Sequence, residues 1–147
     1  MKNFVINISR KSIFDRVSLN SEYAGAKTNA DDDFYRRVAT VSDDEVILSG
    51  FWTELCGETI RKFQNFLKES TTEEETLILG FEMSNAYDES LTPSVESDIS
   101  NALSAGMSAR WFQFTDPTRA QEWRKESEAL LERAFEKLCH RKRPVRK

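Results

Sequence analysis

Ser42-Asp43-Asp44-Glu45-Val46-Ile47-Leu48-Ser49-Gly50-Phe51-Trp52-Thr53-Glu54-Leu55-Cys56-Gly57-Glu58-Thr59-Ile60-Arg61-Lys62-Phe63-Gln64-Asn65-Phe66-Leu67-Lys68 carries the strongest helical periodicity in the chain. Ile47, Phe51, Leu55, Cys56, Ile60, Phe63 and Leu67 recur three to five residues apart, the spacing of one helix face. Ser42 is a good N-cap, and Asp43, Asp44 and Glu45 put negative charge beside the unpaired amides of a first turn. Val46, Leu48, Trp52 and Phe66 widen the apolar stripe. A helix apolar over so much of its circumference is expected at the centre of a bundle. Gly50 and Gly57 weaken it locally or admit a close neighbour.

On the N-terminal side, residues 3–8, Asn-Phe-Val-Ile-Asn-Ile, read as a short strand. Ser9 is placed to cap a helix over about 10–23, with Ile13, Phe14, Val17 and Tyr23 at helical spacings. A polar loop runs from Ala24 to Asp33, and Phe34, Tyr35, Val38 and Val41 form a brief amphipathic stretch. On the C-terminal side, Ser70-Thr71-Thr72-Glu73-Glu74-Glu75 ends the long helix. Leu77, Leu79, Phe81 and Met83 then alternate with Thr76, Ile78, Gly80 and Glu82, a strand whose natural partner is residues 3–8. Asn85 to Leu91 is a polar loop. Thr92-Pro93 and Asp116-Pro117 are cap-plus-proline helix starts. Behind the first, Val95, Ile99, Leu103 and Met107 recur every fourth residue; behind the second, Ala120, Trp123, Leu130, Leu131, Ala134 and Leu138 form an inner face. The fold expected is mainly α, about four helices with a small two-stranded β-element. It forms a single domain over 1–140, followed by a basic tail, 141–147.

The chain has 147 residues, 39% hydrophobic and 31% charged, enough to build a core without staples and too apolar for a disordered polymer. Ten Phe, three Trp and three Tyr are a large aromatic share, suited to a core or to a contact surface. All 25 acids and only 15 of the 21 basic residues lie at or before Glu136, leaving the body ten charges negative. The last eleven residues hold six cations and no acid, so an acidic body ends in a cationic tail. Cys56 and Cys139 have no metal-type spacing and read as buried, reduced thiols. The N-terminal apolar run is too short for a signal peptide, and no stretch approaches a membrane span, so a cytosolic setting is expected.

Chemistry has few footholds. His140 is the only histidine, and on a helix its side chain points about 100° away from that of Cys139. Asp31-Asp32-Asp33 lacks the alternating ligands and glycine of a calcium loop, and Glu73-Glu74-Glu75 reads as a solvated linker. The five glycines form no phosphate-cradling loop and no nucleophile elbow. No enzyme, metal or cofactor is therefore expected. Candidate partner-contact residues are Arg141, Lys142, Arg143, Arg146 and Lys147 of the tail, with Trp111, Phe114, Phe34 and Tyr35. The tail cations either complement the end of the last helix or dock onto phosphate or an acidic protein, without sequence readout. In Trp111-Phe112-Gln113-Phe114, two or three aromatics close a helix–helix corner; an extended run would turn alternate members outward as anchors. Phe34-Tyr35 beside Arg36-Arg37 is a second such candidate.

Ser21-Glu22-Tyr23-Ala24-Gly25-Ala26-Lys27, the acidic loop, Tyr35-Arg36-Arg37-Val38 and Phe51-Trp52-Thr53-Glu54-Leu55-Cys56 together give a resemblance over about residues 10–70. The arrangement resembles small helical head-to-tail connector (neck or ring) proteins of tailed phages and prophages of gut Bacteroidales, including crAss-like phages. The resemblance implies a virion component assembled in the host cytoplasm, forming a homo-oligomeric ring, often twelve-fold. Portal, tail or neighbouring ring proteins would be its partners, and DNA would only pass through or bind weakly. It names no functional residue. The alternative expectation is an intracellular adaptor or regulator that takes nucleic acid or an acidic partner on its basic tail. A third, an acid-based metal-dependent enzyme, would show a stabilising shift on adding Mg²⁺, Mn²⁺ or Ca²⁺.

Overall fold

The computed structural model of the chain describes residues 2–27, 44–72 and 75–142, the side chains of 22–27 and 45 excepted. Among the described residues the fold is mainly α, with four helices and one small antiparallel sheet. Strand β1 (Lys2–Ser9) leads into helix α1 (Arg10–Lys27); helix α2 (Glu45–Phe63) runs through a 3₁₀ turn into strand β2 (Leu67–Thr72). Strand β3 (Thr76–Met83) follows, then helix α3 (Thr92–Phe112) and helix α4 (Pro117–Cys139). No helix among the described residues is long and apolar enough to cross a membrane. The amphipathic stretch at 34–41, the acidic run at 31–33 and the cap residue Ser42 lie outside the described residues.

The sheet has three strands in the order β1-β3-β2, one more than the periodicity predicts. β1 and β3 pair as expected, with Phe4 opposite Phe81 and Ile6 opposite Leu79. Alternation then puts Ile6, Ile8, Leu77, Leu79, Phe81 and Met83 on the buried face. The added strand comes from the end of the segment read as helix: α2 stops at Phe63, not Lys68, and Leu67–Thr72 turns back to pair with β3. Lys-Glu-Ser-Thr-Thr has no apolar alternation to reveal it, because an exposed edge strand is held by backbone bonds to its neighbour alone. Glu69 folds its side chain across Gly80, where an added Cβ would stand 2.7 Å from Glu69 Cγ.

The helix at the centre is α3, not α2. Ala102, Leu103, Ser104, Ala105, Gly106, Met107, Ser108 and Ala109 are all buried, so two full turns of α3 are covered on every side. Small side chains around that circumference let neighbouring helices approach its backbone. α4 lies antiparallel along it: Ser127 donates to the Ala102 carbonyl at 2.8 Å, and Lys137 meets Asp98 at 2.6 Å and Ser94 at 2.6 Å. α1 joins through Arg16 to Asn101 at 2.6 Å and Asn20 to Ser108 at 3.1 Å. α2 joins through Arg110, whose guanidinium forks onto Glu54 at 2.6 Å and Glu58 at 2.8 Å. α2 itself is one-sided, with Leu48, Trp52, Leu55, Cys56 and Phe63 buried and Val46 and Ile47 83% and 53% exposed.

The helix starts divide. Asp116 caps α4 as expected, accepting from the Arg119 amide at 3.2 Å with Pro117 behind it. Thr92 does not cap α3; it is already helical, and a 3₁₀ turn at Glu89–Leu91 with Asp88 as its cap precedes it. Asp44 occupies the cap position of α2 without a side-chain capping bond. α1 extends four residues beyond the predicted end at 23, and its Arg10 amide donates to the Glu75 carbonyl at 2.8 Å.

Candidate functional site

The aromatic corner is built by the end of α3. Because 111–112 are helical and 113–115 form a turn, the run is not extended and its members do not alternate. Trp111 is half-buried against the main core and against a small cluster of Phe112, Ala120 and Trp123. Phe112 is buried, and the Arg119 guanidinium lies 5.7 Å above its ring. Phe114 alone turns outward, 85% exposed at the tip of the α3–α4 hairpin. Of the two aromatics predicted to be anchors here, the structure therefore presents Phe114 and folds Trp111 partly away.

At the other end of α4 the tail leaves through a built junction. His140 is extended, Arg141 forms an antiparallel bridge with Tyr87, and the Lys142 amide donates to the Ala86 carbonyl at 2.7 Å. Tyr87 is buried in the segment read as a polar loop, its ring stacked on Phe4 at 5.6 Å and its hydroxyl 3.1 Å from that of Thr92. Burial raises the Tyr87 phenol above its usual range, the neighbouring charges of Asp88 and Glu89 adding to the effect and the Thr92 bond opposing it. Lys2 donates to the Tyr87 carbonyl at 2.9 Å and pairs with Glu89 at 2.8 Å. Hydrogen bonds from Ser90 hold the Asp88 carboxyl below the usual range, with His140 and Lys142 contributing by charge. Lys2 does the same for Glu89, first by its hydrogen bond and then by its charge.

Arg141 and Lys142 are thus exposed beside this junction, while Arg143, Arg146, Lys147, Phe34 and Tyr35 lie outside the described residues. Residues 86–89 and Lys2 were missed by sequence reasoning. The signals for them were slight: one aromatic within a polar loop, and the Asp88-Glu89-Ser90 spacing of a side-chain-capped turn. Among the described residues the structure does not bring the aromatic corner together with Arg141 and Lys142. They stand at opposite ends of α4, whose 23 residues span about 35 Å.

Two clefts flank α4. One, of about 400 Å³, lies against α2 and α3, with Gly106, Ala109 and Leu131 in its lining and Arg124 and Glu128 among its polar groups. The other, of about 360 Å³, lies against α1 and α3, with Trp123, Leu130 and the 64% exposed Leu19. The two hydroxyls that line the first, Thr59 and Ser127, each donate at 2.8 Å to a backbone carbonyl, of Leu55 and Ala102, and not to a base that could activate them. The thiols differ: Cys56 is buried, as expected, and burial pushes it up to about 12, whereas Cys139 is exposed where the last turn of α4 faces solvent. Among the described residues no three of His, Cys, Asp and Glu converge as a metal site. No family model, curated protein or solved structure matches the chain.

Proposed function

We propose that the chain is a non-enzymatic structural assembly protein that docks onto its neighbours through the two ends of α4. In its most specific form, it is a ring component of a phage head-to-tail neck. The observation that carries the reading is the separation of two unlike contact elements: Phe114, 85% exposed, at one end and the cationic exit of Arg141 and Lys142 at the other. A ring or filament needs unlike faces on each copy, so that one face of a subunit meets the other face of the next. An aromatic at a hairpin tip is the kind of side chain that anchors such a contact, and the acidic body offers the counter-charge for a cationic tail. The neck assignment itself rests on the sequence resemblance.

The test is density-gradient sedimentation of lysate from the source, probed for this chain. A virion component travels with nuclease-resistant, DNA-filled particles; a chain that stays at the top as free protein overturns the neck reading. The second reading, an adaptor that takes nucleic acid on its tail, is favoured by the exposure of Arg141 and Lys142 just past the end of α4. It requires duplex DNA binding by the isolated protein that falls steeply with salt, whereas the ring reading requires little.

A further inference from the structure

The sheet ends in two edge strands, and only one of them is guarded against further pairing. β2 is short, shifts register between Leu67 and Glu69, and carries the charges of Lys68 and Glu69, all features that discourage a strand from adding to it. β1 has none of these. It keeps unbroken register with β3 from Lys2 to Ser9, and Asn3-Phe4-Val5-Ile6-Asn7-Ile8-Ser9 holds no charge and no proline. Alternate backbone groups of such a strand point away from its one neighbour. Among the described residues no backbone hydrogen bond from another segment meets those of residues 3–9. Val5 is 55% exposed, between exposed Asn3 and Asn7. A cleft of about 430 Å³ opens beside the end of the strand, lined by Asn7 and Ile8 and, across it, by Glu96 and Ser97 of α3. Asn7 and Ile8 point to opposite faces of the sheet, so a cleft that both line lies at the strand's edge.

We propose that the free edge of β1 docks a second copy of this chain, whose own β1 pairs with it antiparallel about a two-fold axis at Val5. That register sets Val5 against Val5 and Asn3 against Asn7 on the open face, and Phe4 against Ile6 on the core face. Aromatic with β-branched and polar with polar are pairings that stabilise antiparallel neighbours. Lys2 of the second copy falls opposite Ile8, at the cleft whose acid is Glu96. Its ammonium has three donors, and the Tyr87 carbonyl and Glu89 of its own chain leave one of them over. The cleft's cation, Arg16, is held by Asn101 at 2.6 Å. Charge favours the same strand: the body is ten charges negative, so two copies repel over most of their surface and meet best along a neutral strip. The β2 edge of a second copy fits less well, because its register shift leaves only Glu69–Thr72 in regular pairing. The contact is isologous and lies apart from the ends of α4, so it stands or falls independently of the function proposed above.

The test uses the full chain, with Cys139→Ser as the background for cross-linking because it removes the exposed thiol. Val5→Cys in that background sets two thiols opposite each other across the axis, their Cα atoms about 4.5–5.5 Å apart and within disulfide reach. Asn7→Cys is the control on the same face. Its two thiols stand four residues apart along the strands, about 13 Å, which no disulfide bridges. Expected is twice the chain mass by light scattering for the wild type. Mild oxidation should then give a disulfide-linked dimer from Val5→Cys and at most a trace from Asn7→Cys. Val5→Lys, which opposes like charges at the axis, should halve the mass while leaving the far-ultraviolet spectrum unchanged. A wild type of single-chain mass at its highest soluble concentration overturns the proposal. So does a dimer that cross-links through both cysteine variants, or through neither, or that Val5→Lys leaves intact, since each places the copies in another register or on another face.

Discussion

Glycine and cysteine show how little a residue's type says before its neighbours are known. Gly50 and Gly57, the glycines that interrupt the most periodic helix, have nothing within 4 Å of an added Cβ. Gly106 is the crowded one: a Cβ there would meet Leu55 Cδ2 at 2.9 Å and Ser127 Oγ at 3.1 Å, where α2 and α4 both close on α3. Gly106→Val is therefore expected to lose about 1–3 kcal/mol in denaturant unfolding, and Gly57→Ala to lose nothing. The two cysteines divide in the same way. A thiol-reactive dye should label one thiol quickly in the native protein and two after denaturation, and Cys139→Ser should abolish the fast class. Cys56 also has a pH signature. Its proton is held more tightly in the folded state, so its contribution is complete below the ordinary thiol value of 9.0 and is lost as pH rises towards about 12. Cys56→Ala should consequently lose less stability than wild type over that alkaline window, measured by thermal melts at stepped pH.

Elements whose signals are local were legible; those defined by a neighbour were not. Asp116 followed by Pro117 meets every requirement of a helix start within the segment itself, and it caps α4. Asp116→Ala should lower stability by about 0.5–2 kcal/mol, with the loss visible in the melting temperature and the far-ultraviolet spectrum otherwise unchanged. Thr92-Pro93 has the same signature but does not cap, because Asp88 starts a 3₁₀ turn one step earlier and the Thr92 hydroxyl is engaged by Tyr87. β2 was invisible because its pairing with β3 is the only reason it is extended. The central position of α3 was missed for a related reason. Ala, Ser and Gly do not register as an apolar stripe, yet around Leu103 and Met107 they are what allows burial on all sides.

At the scale of the whole molecule, the boundary between domain and tail bears on how the tail can be tested. A deletion that begins at Glu136 removes more than the tail, because Leu138 is 3% exposed in the core and Lys137 holds Asp98. Deletion of 136–147 should therefore cost on the order of 2–5 kcal/mol, through the lost core leucine. Deletion of 143–147 touches none of the described contacts and should leave the melting temperature unchanged while weakening partner or polyanion binding. If the shorter deletion destabilises as much as the longer one, the tail belongs to the fold. Periodicity, capping and charge read along the chain were enough for the mainly α class, the pairing of the first strand with residues 76–83, the cap of the last helix and the charge contrast between body and tail. The class and the cap follow from periodicity and capping chemistry within a few residues, the contrast from charge counted along the chain, and the pairing from the need of an alternating strand for a second one. Which helix is central, that a third strand exists, which aromatic faces solvent and where the tail is fastened came from the packed chain. The place of α3 and the fastening of the tail depend on contacts between segments 25 to 85 residues apart, such as Ser127 with Ala102 and Lys2 with Tyr87, and burial against a distant partner leaves no periodic trace in either segment. The third strand pairs with a neighbour only 5 to 14 residues on, from Thr72 with Leu77 to Leu67 with Phe81, but through backbone bonds that no side-chain pattern records.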